Sequence, residues 1–157
     1  MSDGKIESFD VVVVGAGFAG LYSLHKLRGM GMSVKVFEAG DGVGGTWFWN
    51  RYPGARCDVE SMEYSYSFDP ELEQEWVWPD KYSKQNDILA YANHVADRFD
   101  LRRDIQFETR IKSALFDRET NRWTIETEKG ERVSAQFCIM AVGNLSTPRV
   151  PDFQRRR

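Results

Sequence analysis

The hexapeptide Gly15-Ala16-Gly17-Phe18-Ala19-Gly20 constrains the fold of this 157-residue chain more than any other stretch, because of what flanks it. Phe9 to Val14 is a short, β-branched apolar run, the pattern of a strand buried on both faces of a parallel sheet. After the glycines, Ala19, Leu21, Leu24, Leu27 and Met30 recur at helical spacing until Gly29 and Gly31 close the segment. Ser33 to Phe37 is a second apolar run, and it ends in Glu38. Strand, glycine turn, helix and strand within about thirty residues make a βαβ unit with a G-x-G-x-x-G at its first turn, the dinucleotide-binding arrangement.

Each residue of that arrangement has a physical reason. Gly15 permits the tight turn, Gly17 lets backbone approach a pyrophosphate, and Gly20 lets the helix pack closely on the strand. The first helical turn, from Phe18 and Ala19, offers free N–H groups and a partial positive charge to phosphates. Glu38 is placed to accept hydrogen bonds from a ribose diol, and its charge would repel a 2′-phosphate, so the site is expected to prefer FAD or NAD to NADP. The alternative is a glycine-rich strand–helix turn that binds nothing.

Six residues after Glu38 begins an unusual loop, Gly44-Gly45-Thr46-Trp47-Phe48-Trp49-Asn50-Arg51-Tyr52-Pro53-Gly54-Ala55-Arg56-Cys57-Asp58. Paired glycines allow backbone to approach a flat ring, and Trp47 and Trp49 offer flat surfaces and N–H donors. Arg56 supplies a fixed fork of donors, and Asp58 can hold an arginine in place. Ordinary core packing for the tryptophans, and a surface ion pair for Arg56 and Asp58, are the plainer readings. Cys57 has no histidine or second cysteine near it and reads as structural.

The remaining chain reads as an ordered, irregular excursion over 40–82, then a helix capped by Ser83 and running to about Phe99 on Ile88, Ala92, Val95 and Phe99. The period then changes to two. Strands are expected at 105–111, 114–118, 122–128 and 131–136, with turns at 118–121 and at Lys129-Gly130. Phe137 to Val142 reads as a further buried parallel strand. The predicted fold class is therefore α/β: a Rossmann-like parallel sheet of the FAD-binding type with a small antiparallel β-meander, apparently truncated. Residues 1–8 read as a flexible leader, 9–151 as an incomplete dinucleotide-binding domain, and 152–157 as an atypical basic tail.

Composition narrows the function classes. Net charge is −3 with no basic stripe, which gives no argument for nucleic acid. No apolar run approaches the length of a membrane span, and the polar N-terminus has no signal-peptide pattern. Two cysteines, Cys57 and Cys138, suit a reduced, cytoplasmic setting better than a disulfide scaffold. His25 and His94 fall on separate helices without ligand spacing, so no metal is expected.

The loop from Gly44 to Asp58, continued through Tyr64 to Phe68, resembles that of Baeyer–Villiger monooxygenases, and the resemblance runs from about Phe9 to Pro151. Ala141-Val142-Gly143-Asn144-Leu145-Ser146-Thr147-Pro148 matches the family's strand-to-loop segment beside the flavin dinucleotide. These are FAD- and NADPH-dependent enzymes that insert an oxygen atom from O2 beside a ketone carbonyl. By position, the resemblance implies that Glu38 holds the adenosine ribose and that Gly45, Thr46, Trp47, Phe48 and Trp49 line the flavin. Arg56, Cys57 and Asp58 reach the flavin and nicotinamide side, with Asp58 pairing with an arginine. Tyr64 and Gly143 contact the cofactor, and the backbone near Ile111 lies beside the adenine.

The same resemblance implies parts that these residues do not supply. No second G-x-G-x-x-G follows the aromatic loop, where the family places an NADPH domain, and Arg155 stands where the family has the glycine of a Phe-x-Gly. The expectation is an FAD-binding N-terminal segment, inactive alone, whose ketone substrate and oligomeric state are not readable. Two alternatives stay open: a stand-alone or degenerate dinucleotide-binding module without turnover, and a segment of a flavin monooxygenase that oxidises nitrogen or sulfur.

Overall fold

A computed structural model of the chain describes residues 6–147 and 150–152. The βαβ unit forms as β1 (Glu7–Val14), α1 (Phe18–Gly29) and β2 (Val34–Phe37), with Val11 to Val14 of β1 parallel to Val34 to Phe37 of β2. The chain then leaves the sheet through α2 (Thr46–Trp49), a 3-10 turn at Ser61–Tyr64, α3 (Pro70–Glu75) and α4 (Gln85–Arg98). It returns as β3 (Ile105–Gln106), parallel to β2. An antiparallel meander follows: β4 (Ile111–Asp117), β5 (Arg122–Thr127) and β6 (Arg132–Met140). Because β6 also runs parallel to β1, one sheet results, ordered β3-β2-β1-β6-β5-β4.

Alternation along β1 divides the core. Val11 and Val13 face α1 and α4, packing with Leu21, Leu24, Tyr91, Ala92, Val95 and Leu101. Val12 and Val14 face the other way, onto Phe37 and the meander's Ile125, Val133 and Ala135. Burying a side chain of this size contributes about 1.5–3 kcal/mol, so a strand buried on both faces is the anchor of the fold.

Several expectations change. The runs 131–136 and 137–142 are one strand, because β6 pairs with β5 near its start and with β1 along its length. Its second half is only partly buried: Cys138 and Ile139 pack against the core, while Phe137 and Met140 are 50% and 58% exposed beyond Ala135, where β5 pairing stops. The strand expected over 105–111 shrinks to two residues, as Glu108 takes a positive φ of 51° and turns the chain. On α1, Leu21 and Leu24 are buried while Ala19 and Met30 are exposed.

The excursion is more regular than its sequence suggests. Asp69 caps α3 by accepting from the Leu72 N–H at 2.8 Å, with Pro70 at the first helical position. Arg98 of α4 ties α3 down through ion pairs with Asp69, Glu71 and Glu75, clamping the two helices together. The residue capping α4 is Lys84, not Ser83; the Asp87 carboxylate accepts from the Lys84 N–H at 3.1 Å. Ser83 is buried and bonds with Ser61 instead, closing the neck of the excursion. Of the expected tail over 152–157 only Asp152 is among the described residues; residues 1–5 of the expected leader also lie outside them, and Glu7 and Ser8 of that leader belong to β1.

Candidate functional site

The carboxyl ends of the parallel strands β1, β2, β3 and β6 bring four loops to one edge of the sheet, where the strand order switches sides at β1 and α/β folds bind their ligands. Gly15 has φ +103°, and a Cβ there would lie 2.5 Å from the Ala141 carbonyl oxygen. A Cβ on Gly20 would lie 1.9 Å from the Gly15 carbonyl oxygen, so helix and turn touch in a way only glycine allows. Gly17 precedes α1, whose N-terminus has no side-chain cap and no acidic residue in its first turn. Its first amides therefore remain open to an anion.

Glu38 is 5% exposed and its carboxylate is engaged at both oxygens. Oε2 accepts from the Ala16 N–H at 2.6 Å and Oε1 from the Gly40 N–H at 2.8 Å. Each oxygen keeps a further lone pair for a hydroxyl. Glu38 thus holds the glycine turn in shape before any ligand arrives, a role the sequence did not disclose. The Glu38 carbonyl accepts from the Thr109 N–H at 2.8 Å, which brings the segment leading to Ile111 alongside.

The aromatic loop is fastened to the same turn. The Gly44 N–H donates to the Ala16 carbonyl at 3.0 Å, and Gly45 lies against Gly17. Trp47 of α2 is 7% exposed and meets Tyr64 edge-on at 5.5 Å between ring centroids, and Tyr64 in turn meets Phe18 at 5.5 Å. Burial pushes the Tyr64 phenol above its ordinary pKa. Phe48 lies against Gly40 and Gly42, with the Arg51 guanidinium over its ring and Trp49 edge-on, and Trp49 is 43% exposed. Gly40-Asp41-Gly42-Val43-Gly44-Gly45 repeats the G-x-G-x-x-G spacing, but its glycines make room for Phe48 and for Gly17, and only the four-residue α2 follows.

Arg56, Cys57 and Asp58 lie farther along. Arg56 is exposed and pairs by backbone with Lys84, while Cys57 is buried, its N–H and Sγ both directed to the Ser83 carbonyl at 3.1 and 3.4 Å. That is the structural setting expected for this thiol. Asp58 is exposed, and among the described residues it forms no ion pair with Arg56 or any other cation. Gly143 has φ +64° on the segment leaving β6, just beyond Ala141, whose N–H donates to the Val14 carbonyl at 2.9 Å. Gly15, Gly17, Gly20, Glu38, Gly45 and Gly143 are thus brought to one edge, with Trp47 behind them.

Two surface depressions lie elsewhere, between Leu115 and Arg132 on the outer β4–β5 face and beside Arg28 and Arg103. Neither contains a candidate residue. Among the described residues, no group of His, Cys, Asp or Glu is arranged to hold a metal ion, and no helix is long and apolar enough to cross a membrane.

Residues 13–74 match the family model described as an NAD(P)-binding Rossmann-like domain. An acetone monooxygenase (methyl acetate-forming) from Gordonia sp. (strain TY-5) is 50% identical over 141 residues, covering 90% of this chain and 26% of the relative. A phenazine N-monooxygenase from Lysobacter antibioticus is 46% identical over 157 residues, covering 99% of this chain and 29% of the relative. A solved structure of an oxidised steroid monooxygenase bound to NADP matches with a TM-score of 0.90 and 63% identity, covering 93% of this chain and 28% of that one. The chain spans under a third of the length of these relatives.

Proposed function

We propose that the chain belongs, over the segment it spans, with the Baeyer–Villiger monooxygenases and binds FAD as part of an NADPH-dependent oxygenase acting on a ketone. The observation that carries the reading is the clasp of Glu38 on the Ala16 and Gly40 amides at the mouth of a glycine-only turn. A carboxylate at the end of β2, a close-approach glycine and an uncapped helix N-terminus match the ribose, the pyrophosphate and its charge.

The residues fit that group in order. Glu38 takes the ribose hydroxyls, Gly15 and Gly17 admit the pyrophosphate, and the first amides of α1, from Phe18 to Gly20, complement its charge. The backbone at Ile111 flanks the adenine. Gly45, Thr46, Trp47, Phe48 and Trp49 line the ring, with Tyr64 behind Trp47 and Gly143 opposite. When bound and reduced, the flavin supplies the activation of O2. Asp58 positions an arginine from the remainder of the enzyme, and Arg56 donates hydrogen bonds on the nicotinamide side, with Cys57 anchoring both between them. The exposed, uncommitted Asp58 suits that role.

The binding unit is residues 9–151, and a reduced cytoplasmic setting suits the free Cys57 and Cys138. Since the methyl acetate-forming relative inserts oxygen beside a ketone carbonyl, the favoured outcome is an ester or lactone. The phenazine N-monooxygenase supports a second outcome, oxidation at nitrogen. Incubating the purified chain with FAD, NADPH and a ketone tests the assignment as a segment: no NADPH consumption is expected. Ketone-dependent NADPH oxidation by this chain alone would overturn it.

A further inference from the structure

Asn50 ends α2, and its side-chain Nδ2 donates two hydrogen bonds in different directions. One goes to the Thr46 carbonyl at 2.9 Å within the aromatic turn, and the other to the Leu145 carbonyl at 2.7 Å, ninety-five positions away on the segment leaving β6. A primary amide has two N–H donors, and both are used here. Asn50 is half-buried and sits where the two walls of the candidate site meet: Thr46–Trp49 on one side and Gly143 to Leu145 on the other. The Gln85 side chain holds the adjacent Trp47 carbonyl, so the turn is also fixed to α4.

We infer that Asn50 is a positioning residue, which sets the spacing between the aromatic turn and the β6 exit segment and so the width of the flavin site. It acts through the two segments it joins, since both amide hydrogens are taken up by backbone carbonyls. The inference rests on the FAD reading for its consequence, but its mechanical part belongs to the protein without ligand.

Two measurements separate these. In the chain without FAD, hydrogen–deuterium exchange of 46–50 and 143–146 is expected to accelerate together in Asn50→Ala, by about tenfold, with the amides of β1 and α4 unchanged. Acceleration of 46–50 alone would overturn the coupling and leave Asn50 a local cap. For FAD binding, Asn50→Ala is expected to lose about tenfold in affinity, and Asn50→Ser, which keeps one donor, less. Asn50→Asp adds a readout that simple packing would not move. Ionised, it presents only acceptors to two carbonyls; protonated, it regains one donor. Its FAD affinity, taken relative to the unaltered chain at each pH, is expected to rise as pH falls through the carboxyl titration. A pH-independent deficit equal to that of Asn50→Ala would overturn the inference. If the unaltered chain fails to bind FAD while the two segments still accelerate together, the FAD reading fails and the positioning role stands.

Discussion

Gly17 and Gly45 meet backbone to backbone: a Cβ added to Gly45 would lie 2.9 Å from Gly17 Cα, and one added to Gly17 would lie 3.3 Å from Gly45 Cα. With the Gly44 N–H bonded to the Ala16 carbonyl, this contact joins the fingerprint turn and the aromatic loop into one unit. Two motifs that look separate in sequence are therefore one construction, and neither wall of the cleft can shift without the other.

That contact predicts opposite signs for two glycine substitutions. Gly45→Ala meets Gly17 and requires a left-handed backbone, φ +55°, so it is expected to destabilise by about 1–3 kcal/mol. Gly29→Ala, helical and with nothing within 4 Å of its Cβ, is expected to stabilise by about 0.4–1 kcal/mol. Urea unfolding of the two variants checks the difference. Equal effects would contradict a strained and crowded backbone at Gly45.

Glu38 should matter to folding without any nucleotide. Glu38→Gln sets an amide N–H2 against one of two backbone N–H donors, and leaving a buried donor unpaired costs about 1–3 kcal/mol. A purely ligand-directed Glu38 would leave the stability of the FAD-free chain unchanged. Chemical denaturation without FAD decides between them.

Much of this was legible in the sequence, and the reasons are local. The β1–α1–β2 unit shows itself through apolar period and glycine placement, both fixed by neighbouring residues. The end of β6 misleads, because Phe137 to Val142 has the composition of a buried strand while its burial depends on chain that the meander does not supply. Helix α3 carried a cap signal in Asp69-Pro70, lost among surrounding aromatics. Ser83 has the residue type of a cap, but its hydroxyl is claimed by Ser61, a partner twenty-two positions away that no local pattern reveals. The two amide bonds of Asn50 are invisible for the same reason.

The uneven burial of the meander predicts uneven sensitivity. Ile125 of β5 is fully buried in one cluster with Val12, Val14 and Phe37, so Ile125→Ala is expected to cost about 2–5 kcal/mol. Phe137, half exposed, is expected to lose clearly less on truncation to Ala, about 1 kcal/mol or below. Thermal or urea unfolding of the pair measures this. A Phe137→Ala cost equal to that of Ile125→Ala would place the Phe137 end of β6 in a covered core.

Stability should fall with acid in two stages. His25 stacks on Phe68 and meets Phe99 edge-on, and burial lowers its pKa from 6.5. The unfolded chain then binds the proton more readily, so this contribution is complete above pH 6.5 and declines as pH falls from there through the lower folded value. Asp69 is held low by the Leu72 N–H and then by Arg98, and Glu126 by Lys112 and Arg132. Their stabilisation is present above the unfolded values of 3.8 and 4.5 and is lost as pH falls through the folded ones. In a melting series, His25→Phe is expected to flatten the upper stage and leave the lower one intact.

The most direct test of FAD binding is a fluorescence titration of the purified chain into FAD, with riboflavin in parallel. Quenching that saturates at one flavin per chain is expected for FAD. Riboflavin should bind far more weakly, since it offers Glu38 no adenosine ribose and the glycine turn no pyrophosphate. Unchanged FAD fluorescence, or equal quenching of both flavins, would contradict the account.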